Sequence, residues 1–257
     1  RIKDDAVRVI LCLLLLLSSV CEAADSIVEQ LRKSPGVAEV SQPVTGERFI
    51  IHVRDWHWVP YEYIAAELPA DTSSEILARA YVDHLDEVRT VQQEQFVVLK
   101  SLTARGVTTI FRESLTPDVE TVYPAASRAL WRRHSEIPEV GDELFKTPNV
   151  LSLGSPGRLL AKGHVKQVHA ADTDATLKLT NPLKADGRLM EVPQESIEKR
   201  EDHIVRQMLK TGKTAVVVLG GAHDLTDNVK RLGGGKVGLI VVTTQAYRRF
   251  AEEPTED

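Results

Sequence analysis

Residues Ala215–Arg231, AVVVLGGAHDLTDNVKR, decide the fold class. The β-branched and apolar run Ala215 to Leu219 breaks at Gly220-Gly221 and gives way to His223, Asp224 and a helical pattern. That reads as a buried strand, a tight turn and a helix start. A histidine therefore stands at the carboxyl end of a strand. In open α/β sheets ligands bind at this edge, because the loops there carry exposed polar groups while the strands stay rigid. A second reading stands beside it: a surface βα loop whose His223 and Asp224 merely cap the helix, with Asp224 or Thr226 as the cap.

The same arrangement recurs upstream. Glu47 to Arg54, ERFIIHVR, sets Phe49, Ile51 and Val53 against Ile50 and His52 as a strand does. It runs into Asp55-Trp56-His57-Trp58-Val59-Pro60, either a ligand-bearing strand end or an aromatic loop packed over the core. Ser73 to Arg105 reads as one long helix, with Leu77, Tyr81, Leu85, Val88, Phe96, Leu99 and Leu102 at helical spacing. Ser73 or Ser74 is its cap, Gly106 its stop, and His84 a surface or packing residue. The second strand, Val107 to Phe111, then delivers Arg112-Glu113-Ser114.

The middle of the chain is polar. Pro117 to Glu143 reads as helix broken at Pro138 and Gly141, with Trp131-Arg132-Arg133-His134 as a solvated helix end. Leu151 to Gly163 is a turn punctuated by Gly and Pro plus an apolar piece, and Lys166 to Ala170 is a third strand. Ala171-Asp172-Thr173-Asp174 reads first as a turn and only second as part of the ligand edge. An amphipathic helix from Pro193 to Thr211 buries Ile197, Ile204, Val205, Met208 and Leu209 and carries Arg200, Glu201 and His203. The last strand, Lys236 to Val242, follows the turn Gly233-Gly234-Gly235. Strand and helix alternate, so the expected fold is α/β: a largely parallel central sheet flanked by helices, with a helical insertion. The expected organisation is a segment 1–24, a linker 25–46 that opens with a short helix from Ser26 to Lys33, one domain over 47–251, and a polar tail 252–257.

Composition narrows the partners. With 257 residues, 42% hydrophobic and 27% charged, the chain has material for a core of ordinary size. Its net charge of −5, with both signs interspersed, argues against nucleic acid or an anionic membrane surface as main partner. An aromatic content of 5% gives no platform for stacking bases. Arg1, Lys3 and Arg8 precede the apolar run Val9 to Leu17, and Ser18, Ser19, Cys21, Ala23 and Ala24 follow, the pattern of a secretory signal cleaved after Ala23 or Ala24. A retained anchor or a lipoprotein signal using Cys21 are the alternatives, although the run falls short of the roughly 20 apolar residues of a span. Export to the periplasm or outside the cell is the expectation, with no membrane span after cleavage. Cys12 and Cys21 are the only cysteines and both lie in this segment, so the mature chain has neither disulfides nor thiol chemistry.

Parallel strands put their carboxyl ends on one edge, so His57, Glu113 and His223 are expected to converge although far apart in sequence. Two imidazoles and a carboxylate are a usual set for a divalent ion such as Zn, Mn or Co, with open positions for water and substrate. Such an ion lowers the pKa of bound water and polarises a carbonyl. Arg200 is then the expected stabiliser of an anionic intermediate or a substrate carboxylate.

The order of strand with His57, strand with Glu113, helix with Arg200-Glu201-Asp202 and strand with Gly220-Gly221-Ala222-His223 resembles one superfamily. It unites erythromycin esterase-like proteins, haem-binding ChaN-like proteins, TraB/PrgY and the Tiki proteases. Its marks are two Gly-x-x-His motifs, glutamates after the second strand, and an arginine on the helix before the second Gly-x-x-His. Gly220 to His223 matches the second motif; Arg54 stands where the first has glycine. Of the glutamates Glu113 is clear, and Glu62 or Asp55 is a candidate further member. The resemblance implies a hydrolase, peptidase- or esterase-like, acting on a peptide or small molecule. In it His57, Glu113 and His223 serve as metal ligands or acid/base groups and Arg200 as anion stabiliser. The alternative it implies is a ChaN-like haem or iron binder without turnover, using His52 and His57 beside Trp56, Trp58 and Tyr61.

Overall fold

The computed structural model describes residues 27–41, 46–136, 148–184 and 187–251. The segment 1–24 with both cysteines, the breaks expected at Pro138 and Gly141, and the tail 252–257 lie outside the described residues. Six strands form one sheet: β1 (Val37–Val40), β2 (Arg48–Asp55), β3 (Ile110–Arg112), β4 (His169–Ala170), β5 (Ala215–Gly220) and β6 (Val237–Thr244). Their spatial order is β1-β6-β2-β5-β3-β4. All neighbours run parallel except β1, which lies antiparallel on β6. This is the expected α/β class.

Both faces of the central strands are covered, which is why β5 is buried at every position and β2 at five in succession. On one face Ile51, Val53, Ile110, Val216 and Val218 pack against Leu99 and Leu102 of the long helix and Leu159 and Leu160 of the helix Gly154–Ala161. On the other, Ile50, Phe111, Val217 and Leu219 meet Ile204, Val205 and Met208 of the helix Gln194–Leu209 and Val229 of Thr226–Gly233. The helices between β3 and β4, among them Pro117–Glu120, Tyr123–Glu136 and Gly154–Ala161, are the expected insertion.

Several boundaries move. The stretch 25–46 contains more than a linker: 27–33 is helical, as expected, and Val37–Val40 forms β1 along the outer edge of β6. Four residues that satisfy only an edge leave little periodicity to read. The second strand shifts from Val107–Phe111 to Ile110–Arg112, because Val107 still donates its N–H to Leu102 O and closes the helix end. The strand expected over Lys166–Ala170 shrinks to His169–Ala170. The last strand runs on to Thr244, and the helix Gln245–Ala251 follows, with Ala246 and Tyr247 buried against Val91. The long helix is as expected, spanning Ser74–Thr103 with the Ser73 hydroxyl accepting from the Ile76 N–H. Trp131-Arg132-Arg133-His134 falls in the final part of Tyr123–Glu136. Among the described residues no helix is long and apolar enough to cross a membrane.

Candidate functional site

Register brings the motif ends together. Asp55 pairs with Gly220 across β2 and β5, and beyond Arg112, which pairs with Val218, the Glu113 N–H donates to Val218 O at 3.1 Å. His57, Glu113 and His223 therefore meet at the carboxyl edge of the sheet. His57 Nε2 lies 3.0 Å from Glu113 Oε2, and His223 Nε2 lies 3.7 Å from Glu113 Oε1. Each ring is oriented from behind: His57 Nδ1 is 3.0 Å from Asp55 Oδ2, and His223 Nδ1 is 2.8 Å from Glu201 Oε1. A carboxylate on Nδ1 fixes the ring plane and turns each Nε2 toward Glu113.

The glycines of the second motif are there for clearance. A Cβ on Gly220 would run into the His57 ring, and one on Gly221 into the Tyr247 ring. Gly220 also donates its N–H to Glu113 Oε2 at 2.6 Å, so the backbone turn is itself part of the site.

Arg200 joins the cluster, but not in the expected role. Its Nε and a terminal nitrogen donate to both oxygens of Asp172 at 2.7 and 2.8 Å, and that terminal nitrogen also donates to Glu113 Oε1 at 2.7 Å. Only 7% of Arg200 is exposed. The guanidinium holds two buried carboxylates through Nε and one terminal nitrogen, so it positions Glu113. Asp172, read first as a turn residue, is the second anchor of that triad and also accepts the Ser114 N–H at 2.9 Å. Ser114 adopts a left-handed φ of 61°, unusual for a residue with a side chain, and this bend aims Glu113 inward.

Two further anchors were invisible as chemistry. Glu201, noted only as a neighbour of Arg200, is buried behind His223. Gln95 donates to Arg54 O at 3.0 Å and to Asp55 Oδ1 at 2.6 Å, and accepts from the Ser155 hydroxyl at 2.7 Å. A glutamine on the apolar stripe Val88, Val91, Val98, Leu102 of the long helix was the available signal. Asp55 thus joins the site, whereas Glu62 is exposed on the helix Tyr61–Glu67 and does not.

The electrostatics follow from these contacts. Burial alone would push the Glu113 carboxyl up, but His57, His223 and Arg200 outweigh it and hold the group well below its ordinary value. Desolvation opposes charge on His57, yet Glu113 and Asp55 raise it well above the usual histidine value. His223 is likewise pushed up to about 9 by Glu113 and Glu201 against burial and Arg200. All three shifts favour an ionised Glu113 facing protonated rings.

A divalent ion, implied by the donor types, is tested by this arrangement. The donor chemistry is right, with two Nε2 atoms facing one carboxylate. The carboxylate, however, is taken on one oxygen by Arg200 and on the other by the Gly220 N–H, and an ion would have to expel both ring protons beside a guanidinium. Among the described residues no group of three or more His, Cys, Asp or Glu is placed to hold an ion. A dication held here would therefore need both Nε2 atoms free of protons and a Glu113 oxygen shared with Arg200 or with the Gly220 N–H. Of the haem set, His52 is 1% exposed with its Nε2 on Leu219 O at 3.0 Å and Trp56 and Trp58 pack near Leu85 and Val88 of the long helix, while Tyr61 and the His57 side chain are exposed.

A cavity of about 240 Å³ opens beside the cluster, lined among others by Asp55, His57, Trp58, Arg112, Glu113 and Ser114. The His57 side chain is 41% exposed. A second cavity, about 330 Å³, lies on the His223 side and includes His52, Arg54 and Asp224. No family model, curated protein or solved structure matches the chain.

Proposed function

We propose that the chain is a hydrolase of ester or peptide bonds in which His57 moves the proton. One observation carries this reading. His57, oriented by Asp55, presents Nε2 to Glu113 at the wall of a cavity of about 240 Å³. In its neutral form the ring turns Nε2 from Glu113 to a water in the cavity and takes a proton from it, as the water oxygen bonds to the carbonyl carbon and the C=O electron pair moves onto the carbonyl oxygen. It then returns that proton to the departing oxygen or nitrogen as the scissile bond breaks. Glu113, kept ionised by Arg200, stabilises the imidazolium that forms between the two steps. His223 supports the same carboxylate from its other side. The resemblance to the superfamily supports a hydrolase, its esterase-like members through a histidine general base and its Tiki-like members through a metal ion. Residues 1–24 support an exported location.

The test is a hydrolysis screen on short peptide amides and aryl and alkyl esters between pH 6 and 10, with elemental analysis of the same preparation. Turnover that rises toward alkaline pH, as His57 loses its proton, and vanishes in His57→Ala without bound metal supports the reading. Activity that tracks one equivalent of Zn, Mn or Co, lost together with that ion in His57→Ala and His223→Ala, replaces it with the metal-dependent hydrolase. No turnover with either preparation rejects both.

A further inference from the structure

With Arg200 buried against two carboxylates, the guanidinium that faces the cavity is a different one. On β3 the side chains alternate: Phe111 and Glu113 turn toward the helix Gln194–Leu209, and Ile110 and Arg112 toward the long helix and Gly154–Ala161. Arg112 thereby lines the cavity that holds His57 and Glu113. Its guanidinium lies over the Tyr123 ring, 5.4 Å from the centroid, and donates one N–H to Ser152 O. These contacts fix the position of the group without neutralising it. Among the described residues no carboxylate is paired with Arg112, while Asp55 and Glu113 in the same cavity already face His57.

We infer that Arg112 is a specificity-determining residue that receives a carboxylate of the ligand, so that the cavity selects small organic anions over their neutral counterparts. The guanidinium has five N–H donors, one of which is engaged by Ser152, and its planar fork matches a carboxylate bidentately. Stacked and anchored, it loses little further side-chain freedom on binding. Trp58, Leu151 and Pro156 supply apolar wall for the rest of the molecule. The inference deepens the hydrolase reading, on which the word substrate rests; the binding preference itself does not depend on turnover.

The experiment measures binding by calorimetry on the full chain with N-acetyl-phenylalanine and with its amide, which differ only in the charged group. The expected wild-type result is at least roughly tenfold tighter binding of the carboxylate, a ratio that falls to about one in Arg112→Gln and is kept only in part in Arg112→Lys, which has the charge without the planar fork. Because Arg112→Gln also loses the Ser152 and Tyr123 contacts, the ratio is read alongside the thermal midpoint of each variant. A merely structural role would weaken both ligands alike. Wild-type protein that binds the two equally, or binds neither at millimolar concentration, overturns the inference even if esters are hydrolysed. A carboxylate preference without any turnover keeps the inference and removes the hydrolase reading.

Discussion

Gly220 has no room for a methyl group, and that single fact ties two distant loops together. The ring of His57 occupies the space a Cβ would need, so Gly220→Ala pushes His57 away from Glu113 without adding or removing a charge. Hydrolysis is expected to fall by about 10²-fold, since a displacement of about 1 Å at a reacting group has that effect. The overpacking costs roughly 1–3 kcal/mol of stability; rate and urea midpoint measured together check both. Arg200 makes the opposite prediction. Replacing it by Met strands Asp172 and Glu113 as buried, uncompensated carboxylates and costs about 3–5 kcal/mol, with Lys recovering only part because it has no bidentate fork. Urea unfolding decides the matter: had Arg200 faced the ligand, as the sequence suggested, the loss would fall on activity and leave stability nearly untouched. His57, Glu113 and His223 were legible because each stands just past an apolar run, where the sheet must end. Asp172 was not, because an aspartate in Ala-Asp-Thr-Asp satisfies a turn equally well.

Elements explain why the legible residues meet. β2 and β5 announced themselves through buried apolar residues on both faces, and their parallel pairing followed from the helices between them. β1, four residues long, carries too little pattern to separate from a loop, and β4 keeps only the last two residues of the strand expected over Lys166–Ala170. The long helix contributes more than packing. Gln95 is fully buried in its apolar stripe and clamps the end of β2 through Arg54 O and Asp55, while Ser155 brings the helix Gly154–Ala161 to the same point. Gln95→Leu is expected to cost about 1–3 kcal/mol by orphaning these groups. The same change frees Asp55, loosens His57 and slows hydrolysis. Thermal melting and rate should move together; a stability loss with unchanged rate would show that Asp55 keeps its place without the helix.

At the scale of the molecule, the same sheet edge makes stability depend on pH in two opposed ways. His52 sits inside β2 at 1% exposure, and burial drops its pKa to about 4, against the bond to Leu219 O. Between pH 6.5 and about 4 the unfolded chain therefore binds a proton that the folded chain refuses, and stability falls as the pH is lowered through that window. At 1.36 kcal/mol for each unit of pKa, the loss approaches roughly 3 kcal/mol. His223 tilts the other way. Its pKa is pushed up to about 9, so its contribution is complete below the ordinary histidine value and disappears as the pH rises toward 9, His57 adding in the same direction. The metal-free protein is thus expected to be most stable near pH 6.5. His52→Gln, which keeps an amide N–H for Leu219 O but cannot titrate, should flatten the acid side and leave the alkaline side unchanged. Urea midpoints from pH 4.5 to 9.5 on both proteins check this, repeated after incubation with Zn, Mn or Co. An ion on His57 and His223 would hold both rings neutral and release their protons, so the alkaline decline would disappear in the loaded protein. A decline that survives the metals unchanged would mean that the two imidazolium rings keep the site for themselves.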